Sequence, residues 1–423
     1  MRFFFLVVIF FGISISHGQN SLEQQFIDIE SKVIEWRRHF HQNPELSNRE
    51  FKTAETIAKH LKSLGLEVQT GVAHTGVVAV LKGNTPGKVV ALRADIDGLP
   101  VTERNDLPFK SEVKTTFLNT ETGVMHACGH DTHTAILMGV AEILTKNKDK
   151  IKGTVKFIFQ PAEEGPLPGE EGGAKMMIKE GVLENPKVDA IFGLHIRSNY
   201  EVGTIHYKKG GIMASVERFV INVKGKQTHG GRPWQGVDPI LISAKIIDGL
   251  QTIISRESKL VDEAAVITVG KITAGTRFNI IPEAAELIGT VRTLDPKMKA
   301  HIEKRMTEMV TTLAKAYGGE ATISFQNNTA ITYNDSNLVD QMLPTLQKVA
   351  GVKNVRLRKA TTGGEDFSYF QEVIPGFYFF LGGMTPGNKE AFPHHTPDFK
   401  IDESGMLLGV KTLTQIAFDF LNN

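Results

Sequence analysis

Five apolar runs in this chain, at residues 77–81, 89–92, 155–159, 190–194 and 376–381, show no helical spacing. A strand wetted on one face alternates apolar and polar residues, whereas a strand covered on both faces need not. These runs therefore read as interior strands, and a fold that buries them must place a layer on each side of a sheet. Helical patterns at residues 132–144 and 174–183 fall between them, which is the alternation of a layered α/β domain with a mostly parallel sheet. Ahead of the first run, Leu22, Phe26, Ile29, Val33, Trp36 and Phe40 recur in steps of four and three, and Pro44 closes that helix. Ser47 with Glu50 reads as a capping box for a second helix through Phe51, Ala54, Ile57, Leu61 and Leu64. Helices at 338–349 and 406–420 flank the last run.

The pattern changes between the fourth and fifth runs. Strand at 219–223, helix at 239–254, strands at 266–272 and 287–292, helix at 298–317 and strand at 321–325 give the order β-α-β-β-α-β. That is the ferredoxin-like split unit, which closes into a four-stranded sheet under two helices. The expected division is a leader at 1–18, a catalytic domain in two parts at 19–210 and 329–423, and an inserted domain at 211–328. The leader is read from the apolar run Phe3 to Ile13 and the small-x-small Ser16-His17-Gly18. Its length falls short of the roughly 20 residues that span a bilayer, so a signal peptide cleaved after Gly18, and a secreted or periplasmic protein, is expected. Lys and Arg number 48 against 47 Asp and Glu, a net charge of +1. This balance gives no electrostatic footprint for nucleic acid, and a small-molecule partner is expected. Cys128 is the only cysteine, so no internal disulfide staples the chain.

In open α/β sheets ligands gather beyond the carboxyl ends of the strands. The run at 89–92 leads into Asp95 and Asp97, that at 155–159 into Glu163 and Glu164, that at 190–194 into His195, and that at 376–381 through a loop into His394 and His395. Between the first two lies MHACGHDTHTA, with Cys128 and His130 just ahead of a helix that Asp131 or Thr132 would cap. A helix amino terminus favours the thiolate, the form of cysteine that binds metal. Together with the glutamates, His195 and His395, these residues supply mixed S, N and O ligands for divalent ions. Five candidates exceed one tetrahedral shell, and two ions sharing a bridging ligand activate water for hydrolysis. The side chains of adjacent glutamates diverge, so one binds metal and the other is left as a general base.

The segments RRHFHQNPELSNRE, ALRADIDGLPVTE, MHACGHDTHTA, FQPAEEG, GLH at 193–195, GTRFNIIPEAAEL, GGEDFSYF and HHTPDF occur in this order. They resemble the M20 peptidases, a metal-dependent aminoacylase and carboxypeptidase clan. The amidohydrolase branch, which includes hippurate hydrolases, N-acyl-amino-acid deacylases and auxin-conjugate hydrolases, is the most similar. The resemblance implies that Cys128, His130, Glu164, His195 and His395 hold two divalent ions, with zinc or manganese favoured and cobalt or nickel admissible, and that Glu163 is the base. It makes His394 a neighbour of the ligand His395. Asp97 becomes the carboxylate that orients the site, and Asp95 stands where relatives outside this branch place a histidine ligand. The inserted domain resembles a lid and dimerisation domain, implying a homodimer. His229 in KGKQTHGGRPWQGVDP then stabilises the oxyanion, although Gly231, Arg232 and Trp234 depart from the usual small-residue stretch. Arg277 and Asn279 are candidates to grip a substrate carboxylate.

Plainer readings stand beside some of these. His39 and His41 read as helix-end packing and His133 as a hydrogen-bonding support. Arg277 also has Glu283 and Glu286 within reach as loop partners. Gly363 and Gly364 read as a tight turn, and Glu365 and Asp366 as helix-starting charges. The expected activity is hydrolysis of the amide bond of N-acyl amino acids or similar small conjugates, the alternative being a dipeptidase or carboxypeptidase. A non-catalytic solute-binding protein is the remote rival, and adjacent Glu163 and Glu164 argue against it.

Overall fold

Strand Thr85–Asp95 pairs in parallel with Lys152–Gln160 on one side and Ala190–Glu201 on the other, and Ala190–Glu201 pairs in parallel with Gly376–Met384. In the computed structural model, which describes residues 21–388 and 390–422, these four strands form the middle of an eight-stranded sheet. Strands Glu67–Val72 and Gly76–Lys82 extend it at one margin, and Ile205–Tyr207 and Val355–Leu357 at the other. The leader expected at 1–18 lies outside the described residues.

The continuous apolar character of the runs follows from burial on both faces. Leu92, Phe157, Phe192, Leu194, Phe377 and Phe379 enter a core under helices Leu22–Gln42, Phe51–Ser63, His130–Lys146, Ser336–Ala350 and Met406–Asn422. Their alternates Ala91, Ile158, Ile191, Tyr378 and Phe380 enter a second core, under the short helices Gly173–Lys179 and Ser368–Val373. Side chains alternate along a strand, so Arg93, Asp95, Gln160, His195 and Arg197 share the parity of that second face. The polar chemistry is thus confined to the thinly covered side of the sheet.

Two local expectations are corrected. The pair Ser47 and Glu50 does not cap the second helix. Glu45 does, its carboxylate accepting from the N–H groups of Lys52 and Thr53 at 3.2 and 2.9 Å, while Glu50 turns inward. The helix His130–Lys146 starts directly after Gly129, not at an Asp131 or Thr132 cap. Gly129 has φ 96°, and a Cβ there would come within 2.4 Å of Ile196, so only glycine lets the chain turn this close to the sheet.

Between strands Gly210–Met213 and Thr332–Asn334 the chain builds an antiparallel sheet in the order Ala265–Ala274, Ala284–Thr293, Val216–Lys224, Glu320–Thr329. Phe219, Ile221 and Val223 pack with Ile246 and Leu250 of helix Pro239–Thr252 and with Met306 and Val310 of helix Pro296–Ala316. Each helix opens with an aspartate cap followed by proline: Asp238 accepts from the Ile240 N–H and Asp295 from the Met298 N–H, both at 2.8 Å. Among the described residues, no helix is long and apolar enough to cross a membrane.

Candidate metal centre

Parallel pairing brings the carboxyl ends of the four central strands to one edge, and the sequence-predicted ligands meet there. Cys128 Sγ lies 3.4 Å from His195 Nε2 and 3.2 Å from His395 Nε2. His395 Nε2 is 3.0 Å from Glu164 Oε1, which is 4.0 Å from His130 Nε2. Metal bonds of 2.0–2.3 Å hold tetrahedral donors about 3.3–3.8 Å apart, a range that these spacings bracket to within about 0.3 Å.

The imidazoles are oriented for that task. Asp97 Oδ1 lies 3.0 Å from His130 Nδ1, which keeps a proton on that nitrogen and directs Nε2 into the cluster, where a bound cation would replace the Nε2 proton. Likewise His195 Nδ1 donates to the Ile196 carbonyl at 2.6 Å, leaving Nε2 toward Cys128. His130 Nε2 is buried and makes no hydrogen bond, and Glu164 Oε1, also buried, has no partner beyond its 3.0 Å contact with His395 Nε2. Buried polar atoms are rarely left unsatisfied, and a divalent cation supplies what these two lack, so the residues present fit the group.

His133 and His394 point nearby but are already engaged. His133 Nδ1 donates to Asp95 Oδ1 at 2.6 Å and its Nε2 accepts from the Ile196 N–H at 2.8 Å. His394 Nδ1 donates to the Cys128 carbonyl and Nε2 accepts from the Ser198 N–H, both at 3.2 Å. Each fixes backbone around a ligand, as expected of supports. Asp95 is likewise occupied, by His133 and by Arg93 Nη1 at 2.7 Å.

The two glutamates separate after Ala162, whose φ of 52° turns the chain. Glu164 joins Cys128 and His130, with donor atoms all within 4.8 Å, whereas Glu163 groups with Glu365 and Asp366. Burial and the charges of Glu365 and Glu164 push the Glu163 carboxyl well above the usual carboxylate range. Although burial opposes it, Asp95 and Asp97 drive His130 up to about 10. The Cys128 thiol also moves up, through burial and then Glu164 and Glu163, so the expected lowering by the helix terminus is outweighed. Crowded negative charge of this kind attracts cations.

Several residues that hold the site were given plainer readings. Ser47 Oγ donates to Asp97 Oδ2 at 2.7 Å, and Glu50 accepts from the Ala162 N–H at 2.9 Å, tying the glutamate turn to the second helix. Arg93, fully buried, donates to Gln160, Asp95, Glu365 and Asp366 at 2.7–3.0 Å. Tyr378 donates to Glu365 at 2.6 Å, and the Asp366 N–H reaches Glu163 Oε1 at 3.3 Å. Glu365 and Asp366 are thus buried partners of Arg93 as well as neighbours of a helix start. The usable signal is Arg93 itself, a cation directly after the apolar run at 89–92 and before Ala94. His41 is not mere helix-end packing either: it lies between Asp131 and Glu103, at 2.8 and 3.1 Å.

His229, Arg277 and Asn279 gather at one end of the inserted sheet, where strands Thr228–His229 and Ile280–Ile281 pair. His229 and Arg277 are exposed. Among the described residues no hydrogen bond or ion pair joins these three to the cluster around Cys128, and Arg277 forms no ion pair with Glu283 or Glu286. His229 Nδ1 accepts from the Gly231 N–H at 2.9 Å, which leaves its Nε2–H free to donate.

The pattern of peptidase family M20/M25/M40 matches residues 91–419. The chain is 41% identical to thermostable carboxypeptidase 2 of Saccharolobus solfataricus over 95% of this chain and 98% of that protein. It is 38% identical to N-acetylcysteine deacetylase of Bacillus subtilis over 92% and 96%. A dinuclear metal binding peptidase of the M20 family from Bacillus subtilis superposes with a TM-score of 0.77 at 36% identity, covering 94% of this chain and 99% of that one. With the ligand cluster and the adjacent carboxylate, these likenesses establish that the chain belongs to peptidase family M20/M25/M40 and is a metal-dependent amidohydrolase.

Proposed function

We propose that this protein cleaves the amide bond of N-acyl amino acids or similar small conjugates, with Cys128, His130, Glu164, His195 and His395 as the residues that would hold two divalent ions. The thiolate favours zinc, while the carboxylate and imidazoles also admit manganese, cobalt or nickel. Such ions, when bound, polarise the substrate carbonyl and acidify water. Glu163 takes the proton of the attacking water as its oxygen adds to the carbonyl carbon, then passes that proton to nitrogen as the C–N bond breaks, releasing acid and amine. The observation that carries this reading is the divergence of the glutamates: both approach His130 Nε2, at 3.8 and 4.0 Å, but Glu164 lies 3.0 Å from His395 Nε2 whereas Glu163 groups with Glu365 and Asp366 and binds protons tightly.

His229, with Nε2–H free, donates to the developing oxyanion when the inserted domain closes, and Arg277 with Asn279 approaches a substrate carboxylate in the same movement. Exposed Trp234, Phe278 and Leu241 support pairing of the inserted domain with a second copy; light scattering that finds a strict monomer refutes this. Export with removal of residues 1–18 is tested by amino-terminal sequencing of the mature protein, where a first residue of Met1 refutes it.

The deciding assay compares acylated amino acids with free dipeptides on metal-loaded protein, with and without chelator. Faster turnover of the acylated set, abolished by chelator and restored by zinc or manganese, is expected. Preference for dipeptides favours the peptidase alternative, a reading that the likeness to a carboxypeptidase keeps in view.

A further inference from the structure

A second group of polar side chains occupies the same sheet face as the ligands and has no role in the chemistry above. Arg197 follows His195 by two residues in strand Ala190–Glu201, so both side chains leave on one face. Phe380 stands opposite His195 in the neighbouring strand. Its ring carries two guanidiniums, Arg197 at 5.0 Å and Arg358 at 4.8 Å from the centroid. Arg358 arrives from the end of strand Val355–Leu357, anchored by its N–H to the Tyr207 carbonyl at 3.0 Å, and also covers the Tyr200 ring at 4.8 Å. Tyr200 is itself stacked on His206, with centroids 3.9 Å apart.

These two cations differ from the fully buried guanidiniums. Arg37 and Arg93 each pair with a carboxylate at 2.7–2.8 Å. Arg197 and Arg358 form no ion pair among the described residues, and Arg197 Nε and Arg358 Nη1 are buried without a hydrogen-bond partner. Arg358 Nε donates to the Lys359 carbonyl at 2.7 Å. Like charges gathered over one ring, with the two named donors unmet, are favoured by the aromatic faces, and an anion would satisfy those donors directly.

We infer that Arg197 and Arg358 form a carboxylate-binding site at the rim of the metal centre, taking a carboxylate that the substrate carries on its amino-acid part or at the far end of a dicarboxylic acyl group. The inference rests on the amide-hydrolase reading and deepens it. A guanidinium fork matches a carboxylate geometrically, and rings that already hold both guanidiniums reduce the ordering that binding requires. Two residues of extended strand span about 7 Å. That is the reach of a guanidinium contacting a carboxylate three bonds away from an amide carbon beside His195.

The test uses metal-loaded protein and three probes: N-acetyl-L-methionine, its α-carboxamide, and N-succinyl-L-methionine carboxamide. Wild type, Arg197→Gln, Arg358→Gln and Arg277→Gln are compared. In either of the first two variants, kcat/KM for a carboxylate probe relative to the neutral carboxamide is expected to fall about 10–100-fold, through KM more than kcat, with partial recovery in the lysine variant. A fall for N-acetyl-L-methionine assigns the amino-acid carboxylate, and a fall confined to the succinyl probe assigns the acyl end. Equal losses on all three probes, no change in the ratio, or a loss in Arg277→Gln alone overturns the site while leaving the amide-hydrolase reading intact. Absence of hydrolysis of every probe by wild type defeats that reading instead. The site is then judged by calorimetric titration with succinate, where weakening of tenfold or more in Arg197→Gln or Arg358→Gln upholds it and unchanged binding overturns it.

Discussion

The α/β part and the inserted part of this molecule treat charge in opposite ways. On its thinly covered face the α/β sheet encloses Arg93, Asp95, Asp97, His130, His133 and Glu365 at 0–2% exposure. The inserted sheet closes on Phe219, Leu287, Met306 and Val310, while its chemistry-bearing His229 and Arg277 face outward. In the first part the charges that shape the reaction are also pieces of the interior, held by one another. In the second, folding is carried by apolar packing and the polar side chains are free to serve the reaction alone. Stability and function are therefore coupled in one part and separable in the other.

The sharpest break of this contrast comes at Glu163, an acidic group beside the enclosed set and placed to act on substrate. Glu163→Gln should lower kcat about 10²–10⁴-fold while metal content is retained. Its unfolding midpoint should not fall, because the change relieves crowding with Glu365 and Asp366; wild-type turnover in this variant would remove Glu163 from the mechanism. Arg93→Met tests the coupling itself. It strands three buried carboxylates and should cost about 3–5 kcal/mol in urea denaturation, so a loss below about 1 kcal/mol would mean that the enclosed charges do not sustain the fold.

On the other side of the comparison, His229→Asn should reduce kcat by about 10²–10³-fold yet leave unfolding free energy within about 0.5 kcal/mol. A parallel loss of stability would erase the separation drawn here. The smallest effect concerns pH. Burial and Arg37 oppose protonation of His41, but Asp131 and Glu103 prevail and raise its pKa. A raised folded pKa contributes stability that is fully present below the unfolded value of about 6.5 and is lost as pH rises through the folded one. Urea midpoints of wild type should thus decline on the alkaline side of that value, and His41→Asn should flatten the decline; an unchanged slope would show that His41 is neutral in the fold.

Much of the site was legible because strand ends and helix starts are local signals. Places after apolar runs and the MHACGHDTHTA segment point to Cys128, His130, the adjacent glutamates, His195 and the late histidines; the resemblance singles out Glu164 and His395, and the structure gathers the set. The support beneath them was harder to read. Ser47 and Glu50 have the spacing of a capping box, and only the fold shows that Asp97 and Ala162 claim them while Glu45 takes the helix end. Glu365 and Asp366 resemble any acidic helix start until Arg93, some 270 residues earlier, is placed between them. Arg197 and Arg358 carried no signal, since nothing in the sequence places either beside Phe380.

By itself the sequence determined where the central strands and the long helices lie, which strands are covered on both faces, and which side chains have metal-binding chemistry; the short marginal strands and the helix Ser368–Val373 were not legible in it. Those properties depend on neighbours a few residues away, through alternation, capping and propensity. Tertiary structure alone decided that four parallel strands end at one edge and that Glu163 and Glu164 face different partners. It alone brings Arg197 and Arg358 to one ring beside His195. Burial, charge and the partners of a polar atom are set by residues distant along the chain, and they acquire values only once the sheet has assembled.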